Sequence, residues 1–267
     1  MKIAILGCGN MGMAYANSFL KYNLTDRENL LLVEKDEARQ VALEKLNIGK
    51  VVSVLERETV SQFPIIILAV KPQDFPTVAA SLANALSEKN TVVSIMAGKP
   101  IAYLQELLKH KFVIRAMPNT PAQIGMGITA YSISKEISMA QMRLVENLLN
   151  STGRSVFLED ESLLDAVTAL SGSGPAYFYY FLKHLIEAGK QMGLEEGVSA
   201  MLVKQTMIGA YHLVNNSDKS LDELIAAVAS KGGTTEAALS TFNEGKLNEI
   251  LISGLLNAEK RAKELAG

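Results

Sequence analysis

The first twelve residues constrain the fold of this chain more than any other stretch. A short apolar run of strand-forming residues, Lys2–Leu6, breaks directly into Gly-Cys-Gly-Asn-Met-Gly at positions 7–12. This order of strand, G-x-G-x-x-G turn and helix is typical of a unit that binds a dinucleotide. Gly7 permits the tight turn, Gly9 lets a pyrophosphate approach the backbone, and Gly12 lets the helix pack against the strand. The turn therefore predicts cofactor contacts from Gly7, Cys8, Gly9, Asn10, Met11 and Gly12.

An acidic residue after the next predicted strand supports this interpretation. Glu34 follows the apolar run Leu30–Val33 and lies twenty-two residues after Gly12. An acid in this position accepts hydrogen bonds from the adenosine ribose and repels a 2′-phosphate, and the adjacent Lys35 partly offsets that repulsion. We therefore place Glu34 and Lys35 in the cofactor site, with NADPH or NADH as the cofactor, and expect NADH to be accepted well. The alternative is a glycine-rich turn that binds nothing.

The composition predicts a folded protein of the cytoplasm. The chain has 267 residues, 48% of them hydrophobic, which is enough for one large domain or two moderate ones. Its 26 basic and 28 acidic residues leave a net charge of −2, so we expect neither a nucleic acid nor a membrane as a partner. Cys8 is the single cysteine and cannot form an internal disulfide, and the amino-terminal apolar run is too short for a secretory signal.

The first half alternates short apolar runs with helical stretches. This pattern predicts an α/β, Rossmann-like domain over residues 1–159, with a doubly wound, mainly parallel sheet. Ligands of such sheets bind beyond the carboxyl ends of the strands. Residues at or just after three predicted strand ends are therefore assigned to the cofactor site: Ala69, Val70, Lys71, Pro72, Ala97, Gly98 and Asn119.

Four of these residues have arguments of their own, for or against the assignment. Ala97 and Gly98 are small and leave room for a nicotinamide ring, whereas Lys71 has a solvated lysine at a loop start as its alternative interpretation. Asn119 lies in the segment 117–122, where two prolines are expected to forbid a helix and to hold the asparagine on a stiff loop.

From about residue 160 the sequence predicts almost only helices. We therefore expect residues 160–267 to form a separate all-α domain. The predicted helix at 195–214 is apolar on nearly every side and must be buried. A half-chain of this size has few interiors deep enough for such a helix, so a subunit interface is its natural location.

Two segments of small residues interrupt the predicted helices, at 171–175 and at 230–235. The second precedes a predicted helix at 236–242, whose first N–H groups would form an anion site. The alternative is an ordinary N-cap formed by Thr234 or Thr235.

The sequence offers no metal site and few titratable candidates for catalysis. No cluster of His, Cys, Asp or Glu has the spacing of metal ligands. We interpret His110, His184 and His212 as surface or boundary residues. A hydride-transfer site nevertheless needs little from the protein beyond a carboxylate grip, a hydrogen-bond donor and orientation, because the cofactor performs the difficult chemistry.

Along essentially its whole length the chain resembles pyrroline-5-carboxylate reductase, the last enzyme of proline synthesis. Five motifs match those of the family in order, at 7–12, 69–73, 115–121, 165–177 with Ser-Gly-Ser-Gly-Pro-Ala-Tyr at its end, and 232–235. The resemblance implies a nicotinamide-binding domain followed by a helical domain that interlocks with a second copy. It further implies a substrate site at the dimer interface, in a homodimer or a higher oligomer built from dimers.

The resemblance also implies roles for residues of the helical half. The segment at 233–235 would grip the substrate carboxylate, and the hydroxyl of Thr235, the implied catalytic residue, would lie near the imine nitrogen. Lys231 stands where many members have proline, so this loop is expected to be more mobile without losing its function. The implied substrate-binding residues are Ser171, Ser230, Gly232, Gly233, Thr234 and Thr235.

The implied reaction is the NAD(P)H-dependent reduction of 1-pyrroline-5-carboxylate to L-proline by hydride transfer to C5 of the ring. An iminium is already electrophilic, so no strong general acid is required, and Thr235 or a bound water would orient the nitrogen. Two alternatives stay open. One is a 3-hydroxyacid dehydrogenase, although the segment 176–183 lacks the Gly-Lys-Asn spacing of that family. The other is a non-catalytic dinucleotide-binding relative that regulates a partner, against which the intact motifs argue.

Overall fold

The structure is a computed structural model that describes residues 1–83 and 85–266. The chain divides into two compact units. The first unit comprises Met1–Pro175 and Ala258–Gly267, and the second comprises Ala176–Asn257. The expected domain boundary after residue 159 thus falls inside the first unit, because the first helical segment after that point packs on the sheet.

Within the described residues, the first unit contains one eight-stranded sheet. Its strands are β1 (Ile3–Leu6), β2 (Leu30–Val33), β3 (Lys50–Val52), β4 (Ile65–Leu68), β5 (Thr91–Ser94), β6 (Val113–Met117), β7 (Gly127–Ile133) and β8 (Gly153–Phe157). Their spatial order is β3-β2-β1-β4-β5-β6-β7-β8. Strands β1 to β6 run parallel, β7 is antiparallel to β6, and β8 is parallel to β7. The order reverses between β1 and β4, which is where doubly wound sheets bind their ligands.

Helices cover both faces of this sheet. They are α1 (Asn10–Lys21), α2 (Glu37–Leu46), α3 (Phe75–Leu82), α4 (Ile101–Leu108), α5 (Met139–Asn150) and α6 (Leu163–Val167). Because successive strand residues point to opposite faces, Ile5 of β1 lies in one apolar cluster with Tyr15 of α1, and Leu6 lies in the other with Phe75 of α3. Burial on both faces explains why these strands are almost entirely apolar.

The remaining helices are α7 (Gly174–Gln191), α8 (Glu196–Asn215), α9 (Leu221–Val228), α10 (Thr234–Glu244) and α11 (Leu247–Ala266). Within one chain they bury very little. In the described part of the second unit, Ser199 is the buried residue of α8, and neither α9 nor α10 has one. The apolar surface of α8 therefore lacks the burial that its composition requires. None of the helices in the described residues is long and apolar enough to cross a bilayer.

Three sequence-based expectations about local structure were wrong. Residues Thr120–Ile124 form a 3₁₀ helix, because Pro121 lies in its first turn, where a missing N–H costs nothing. The segment expected to be a loop at 171–175 is instead helical: a π-helical turn, Thr168–Gly172, leads into α7. His110 is buried rather than at the surface, and its Nε2 lies 2.8 Å from the carbonyl oxygen of Asn90.

Candidate functional site

Packing explains two of the three glycines in the amino-terminal turn. Gly7 has φ +95°, and a Cβ on it would lie 2.7 Å from the carbonyl carbon of Ala69. A Cβ on Gly12 would overlap the carbonyl oxygen of Gly7. Because these contacts are with backbone atoms, which cannot move aside, β1, β4 and α1 approach closely only with glycine at both positions. The structure thus brings the predicted segments at 7–12 and 69–72 together.

Gly9 has a different role. Within the described residues, and apart from Gly9 itself and its two neighbours in the chain, no heavy atom lies within 4 Å of the position that its Cβ would occupy. Gly9 is also the N-cap of α1 and provides no side-chain cap. The first N–H groups of α1, those of Asn10 and Met11 among them, have no acceptor within the helix, and the helix dipole places partial positive charge there. Open space and free donors at one helix start fit the pyrophosphate of a dinucleotide.

Glu34 is joined directly to this turn. Its Oε2 accepts the N–H of Cys8 at 3.2 Å, and its Oε1 accepts the N–H of Asp36 at 3.1 Å. The carboxylate therefore connects the β1–α1 turn to the β2–α2 turn. The thiol of Cys8 is buried, and burial, with the nearby charge of Glu34, raises its pKa to about 12. Cys8 is thus a neutral packing residue and not a nucleophile.

Two basic side chains lie at the same edge. Lys35 is exposed and forms a 2.8 Å ion pair with Asp74. Arg39, which sequence reasoning missed, donates from Nη2 to the carbonyl oxygen of Cys8 at 3.0 Å. A basic residue in the first turn of the helix after Glu34 was the available signal.

The strand ends assigned to the nicotinamide differ in their surroundings. Ala69, Val70 and Pro72 are half-buried and Lys71 is exposed. Ala97 is exposed, but the space beside Gly98 is occupied. A Cβ on Gly98 would lie 3.2 Å from the carbonyl oxygen of Leu265, at the end of α11. The end of α11 therefore packs on Gly98, whose φ of +68° also favours glycine. That Ala97 and Gly98 leave room for a nicotinamide ring stays a prediction.

Asn119 is the second residue after β6, at the same sheet edge. Its Oδ1 accepts the N–H of Ile128 at 3.0 Å, and it is the N-cap residue of the 3₁₀ helix that follows. Because the carbonyl of the side chain is fixed, its NH₂ group is held in place as a donor.

Ser171 lies in the π-helical turn of the first unit, which β6 holds in place at two points. Met117, at the end of β6, lies against Gly172, since a Cβ there would be 2.5 Å from its Cε. Arg115 of β6 also forms an ion pair with Asp165 of α6. The hydroxyl of Ser171 donates to the carbonyl oxygen of Val167 at 3.2 Å. Single π-helical turns are frequent at functional sites, and this one interrupts the motif that sequence reasoning singled out.

The remaining candidate residues lie together at the start of α10 in the second unit. Gly233 is the N-cap residue, and no side chain caps the helix. Its N–H donates to the carbonyl oxygen of Ser230 at 2.9 Å, and the N–H of Gly232 donates to the carboxylate of Glu236. In the described part of the chain, the N–H groups of Thr234 and Thr235 have no acceptor. These two donors, and not that of Gly233, are available to an anion, and the interpretation of either threonine as an N-cap has no support.

The described residues offer no group of three His, Cys, Asp or Glu side chains that could hold a metal ion. In the first unit the candidate groups are the backbone donors of the glycine turn, the carboxylate of Glu34 and the basic groups at the β2–α2 edge. In the second unit they are the backbone donors at the start of α10 and the hydroxyl of Thr235.

Two family models match the chain. One, described as pyrroline-5-carboxylate reductase dimerisation, matches residues 161–265. The other, described as NADP oxidoreductase, coenzyme F420-dependent, matches residues 2–98. The first covers the helical half and the second covers the glycine turn with β1 to β5.

Individual proteins match over the full length. The pyrroline-5-carboxylate reductase of Pseudomonas aeruginosa is 34% identical over 99% of this chain and 97% of its own. The solved structure of Plasmodium falciparum pyrroline carboxylate reductase with NADP bound superimposes with a TM-score of 0.89 at 28% identity, covering 100% of this chain and 98% of that one. The Coxiella burnetii pyrroline-5-carboxylate reductase gives 0.88 at 29% identity with the same coverage.

Proposed function

This chain belongs to the pyrroline-5-carboxylate reductase family, and from that membership we propose that it reduces 1-pyrroline-5-carboxylate to L-proline. The hydride donor is NADPH or NADH. The match to its relatives extends over both the dinucleotide-binding part and the helical part, which supports a complete enzyme.

The cofactor half of the proposal relies on the glycine turn. Gly9 leaves its side-chain position open, and the first N–H groups of α1 are free of a side-chain cap. These donors bind the pyrophosphate. Glu34 accepts hydrogen bonds from the adenosine ribose, and the fixed NH₂ group of Asn119 donates toward the nicotinamide end. When bound, the reduced nicotinamide supplies the hydride.

The substrate half relies on the start of α10, which is the single observation that carries this assignment. A helix of this length with a glycine N-cap and no capping side chain keeps its first donors for a ligand. The N–H groups of Thr234 and Thr235 grip the substrate carboxylate, assisted by the positive end of the helix dipole. The Thr235 hydroxyl hydrogen bonds the imine nitrogen and orients the C=N bond for hydride attack.

This arrangement requires no strong general acid. A protonated imine is electrophilic at carbon, and the nitrogen of the product retains its proton. When the imine arrives neutral, solvent supplies the proton to the nitrogen through the Thr235 hydroxyl or a water molecule bound to it, and the hydroxyl ends the step protonated as before.

We further propose that the active form is a homodimer, or a higher oligomer built from dimers. The helical part matches a model described as a dimerisation domain. Large apolar side chains of α8 are exposed in the single chain, among them Met201, Met207, Ile208 and Tyr211. A second copy is the occupant that would bury them, because exposed large apolar side chains concentrated on one helix mark an interface between proteins.

A cytoplasmic location is also part of the proposal. Cys8 is a free, buried thiol in the cofactor turn. A chain without a disulfide fits a reducing compartment, where pyridine nucleotides are available to a reductase.

The test is direct. The purified protein is mixed with NADPH or NADH and pyrroline-5-carboxylate, and the loss of reduced nicotinamide absorbance is compared with the proline formed. We expect one proline for each nicotinamide oxidised. Nucleotide binding without turnover would support the regulatory relative, and oxidation of 3-hydroxy acids with NAD⁺ would support the other dehydrogenase.

A further inference from the structure

Two oppositely charged side chains hydrogen bond to the backbone of Cys8. Glu34 accepts the N–H of Cys8 at 3.2 Å, and Arg39 donates to its carbonyl oxygen at 3.0 Å. Cys8 is the residue between the first two glycines of the turn, so both charges lie where the turn meets the adenosine side of the cofactor in folds of this type.

The two charges are not equally free. Glu34 is only 8% exposed, and each of its oxygens already accepts a backbone N–H, from Cys8 and from Asp36. A carboxylate oxygen accepts more than one hydrogen bond, so a ribose hydroxyl can still bind. Two N–H dipoles nevertheless offset part of the negative charge that would repel a phosphate.

Arg39 has more capacity left. It is an exposed residue of the first turn of α2, where its own N–H donates to the capping carboxylate of Asp36 at 2.9 Å. Its guanidinium has five N–H donors, of which the contact with Cys8 uses one. Among the described residues no carboxylate lies within ion-pair distance of Arg39, whereas the neighbouring Lys35 is paired with Asp74.

We propose that Arg39 recognises the 2′-phosphate of NADPH. This inference depends on the proposed function only in requiring that the glycine turn binds a pyridine dinucleotide. A guanidinium binds a phosphate through two parallel hydrogen bonds, and the contact with Cys8 fixes the side chain beside the turn before the cofactor arrives. Arg39 therefore adds binding energy for NADPH alone, while Glu34 serves the ribose hydroxyls of NADH.

The experiment uses two ligands without a nicotinamide, so that turnover plays no part. Titration calorimetry on the full-length protein compares ADP-ribose with its 2′-phosphorylated form, for the wild type and for Arg39→Ala. We expect the substitution to weaken the 2′-phosphorylated ligand by about tenfold or more and to leave ADP-ribose within about twofold. Arg39→Lys retains the positive charge without the two parallel N–H donors of the guanidinium, and it should recover part of the lost affinity.

Lys35→Ala is the matched control, since it also removes one positive charge at the β2–α2 edge. We expect it to weaken the phosphorylated ligand less than Arg39→Ala does, because Lys35 is held by Asp74. If Arg39→Ala lowered the affinity for both ligands equally, Arg39 would only support the turn, and the proposal would be overturned. An unchanged affinity for both ligands would overturn it as well. Suppose that the loss in Arg39→Ala is confined to the 2′-phosphorylated ligand but the wild-type protein fails to reduce pyrroline-5-carboxylate. That result would contradict the proposed function and leave the role of Arg39 intact.

Discussion

The Nη2 atom of Arg115 lies 2.9 Å from Oδ1 of Asp165, and this buried ion pair fixes the first helical segment after the sheet to strand β6. The side chain of Arg115 is 4% exposed and that of Asp165 is 12% exposed. Glu161 accepts a second bond from Arg115, at 3.2 Å, and the N–H of Ile101 at 2.8 Å. The pair explains why the first unit extends to Pro175.

Asp165→Asn is expected to lower the free energy of unfolding of the first unit by about 3 kcal/mol, because it leaves a buried guanidinium with one carboxylate fewer. Denaturant unfolding measures the loss. Asp74→Asn is the control, since it breaks the exposed pair with Lys35 and should cost about 1 kcal/mol or less. Equal costs for the two substitutions would show that the pair of Arg115 and Asp165 does not hold the segment.

Thr235→Ala separates a chemical role from a structural one. A threonine N-cap is worth about 1 kcal/mol, but no side chain caps α10, so the substitution should change stability by less than that. If the hydroxyl orients the imine nitrogen, kcat should fall about tenfold or more, and Thr235→Ser should recover most of it. KM should change less than kcat, because the backbone donors remain. A variant that melts earlier but turns over at the wild-type rate would return Thr235 to the structural role.

Met207→Glu tests the dimer. Met207 is 41% exposed in the single chain, and a second copy would bury it. A buried, unpaired carboxylate is costly, so we expect loss of folded protein and not merely of the dimer. Size-exclusion chromatography and circular dichroism provide the measurement. Met139→Glu makes the same change on the exposed start of α5 in the first unit, and it should leave both the folding and the dimer unaffected. A folded, fully active Met207→Glu monomer would contradict the interface and the shared substrate site.

Glu34→Ala tests the basis of NADH use. Losing the acceptor should lower kcat/KM for NADH more than for NADPH, since repulsion of the 2′-phosphate is removed at the same time. Glu34→Gln retains an acceptor without the charge and should raise NADPH use relative to NADH. If the wild type strongly prefers NADPH and Glu34→Ala preserves that preference, Glu34 does not control the choice of cofactor.

His110 predicts a pH dependence of stability. Burial lowers its pKa, outweighing the hydrogen bond to the carbonyl of Asn90. The unfolded chain therefore binds a proton more readily than the folded one. The stabilising contribution is complete above the unfolded pKa of about 6.5 and is lost as the pH falls from there through the folded pKa. His110→Gln retains a donor that does not titrate, so its Tm should fall less than that of the wild type between about pH 7.5 and pH 5. Parallel Tm curves would contradict this assignment.

Several features were predictable because they depend on short-range patterns. The apolar runs at 30–33 and 65–68 form buried parallel strands, and the glycine spacing at 7–12 forms the expected strand, turn and helix. A strand buried on both faces leaves a continuous apolar run in the sequence, and a tight turn leaves its glycines, whatever surrounds them.

Other features depend on contacts that no local pattern encodes. The π-helical turn before α7 packs against the end of β6, since a Cβ on Gly172 would lie 2.5 Å from Cε of Met117. Leu265 packs on Gly98, although the two residues lie far apart in the sequence. His110 is buried, and the carbonyl oxygen of Asn90, twenty residues earlier, pairs with its Nε2.

The sequence by itself determined the dinucleotide-binding turn, the succession of strands and helices, and the family. Only the tertiary structure decided that Arg39 contacts the residue between the first two glycines, that Leu265 packs against Gly98, and that α8 is exposed in a single chain. The physical reason is the distance along the sequence between the residues that interact. Strand and turn formation depend on steric and burial preferences of adjacent residues, whereas a donor is free or engaged according to which distant atoms the fold brings within about 3 Å.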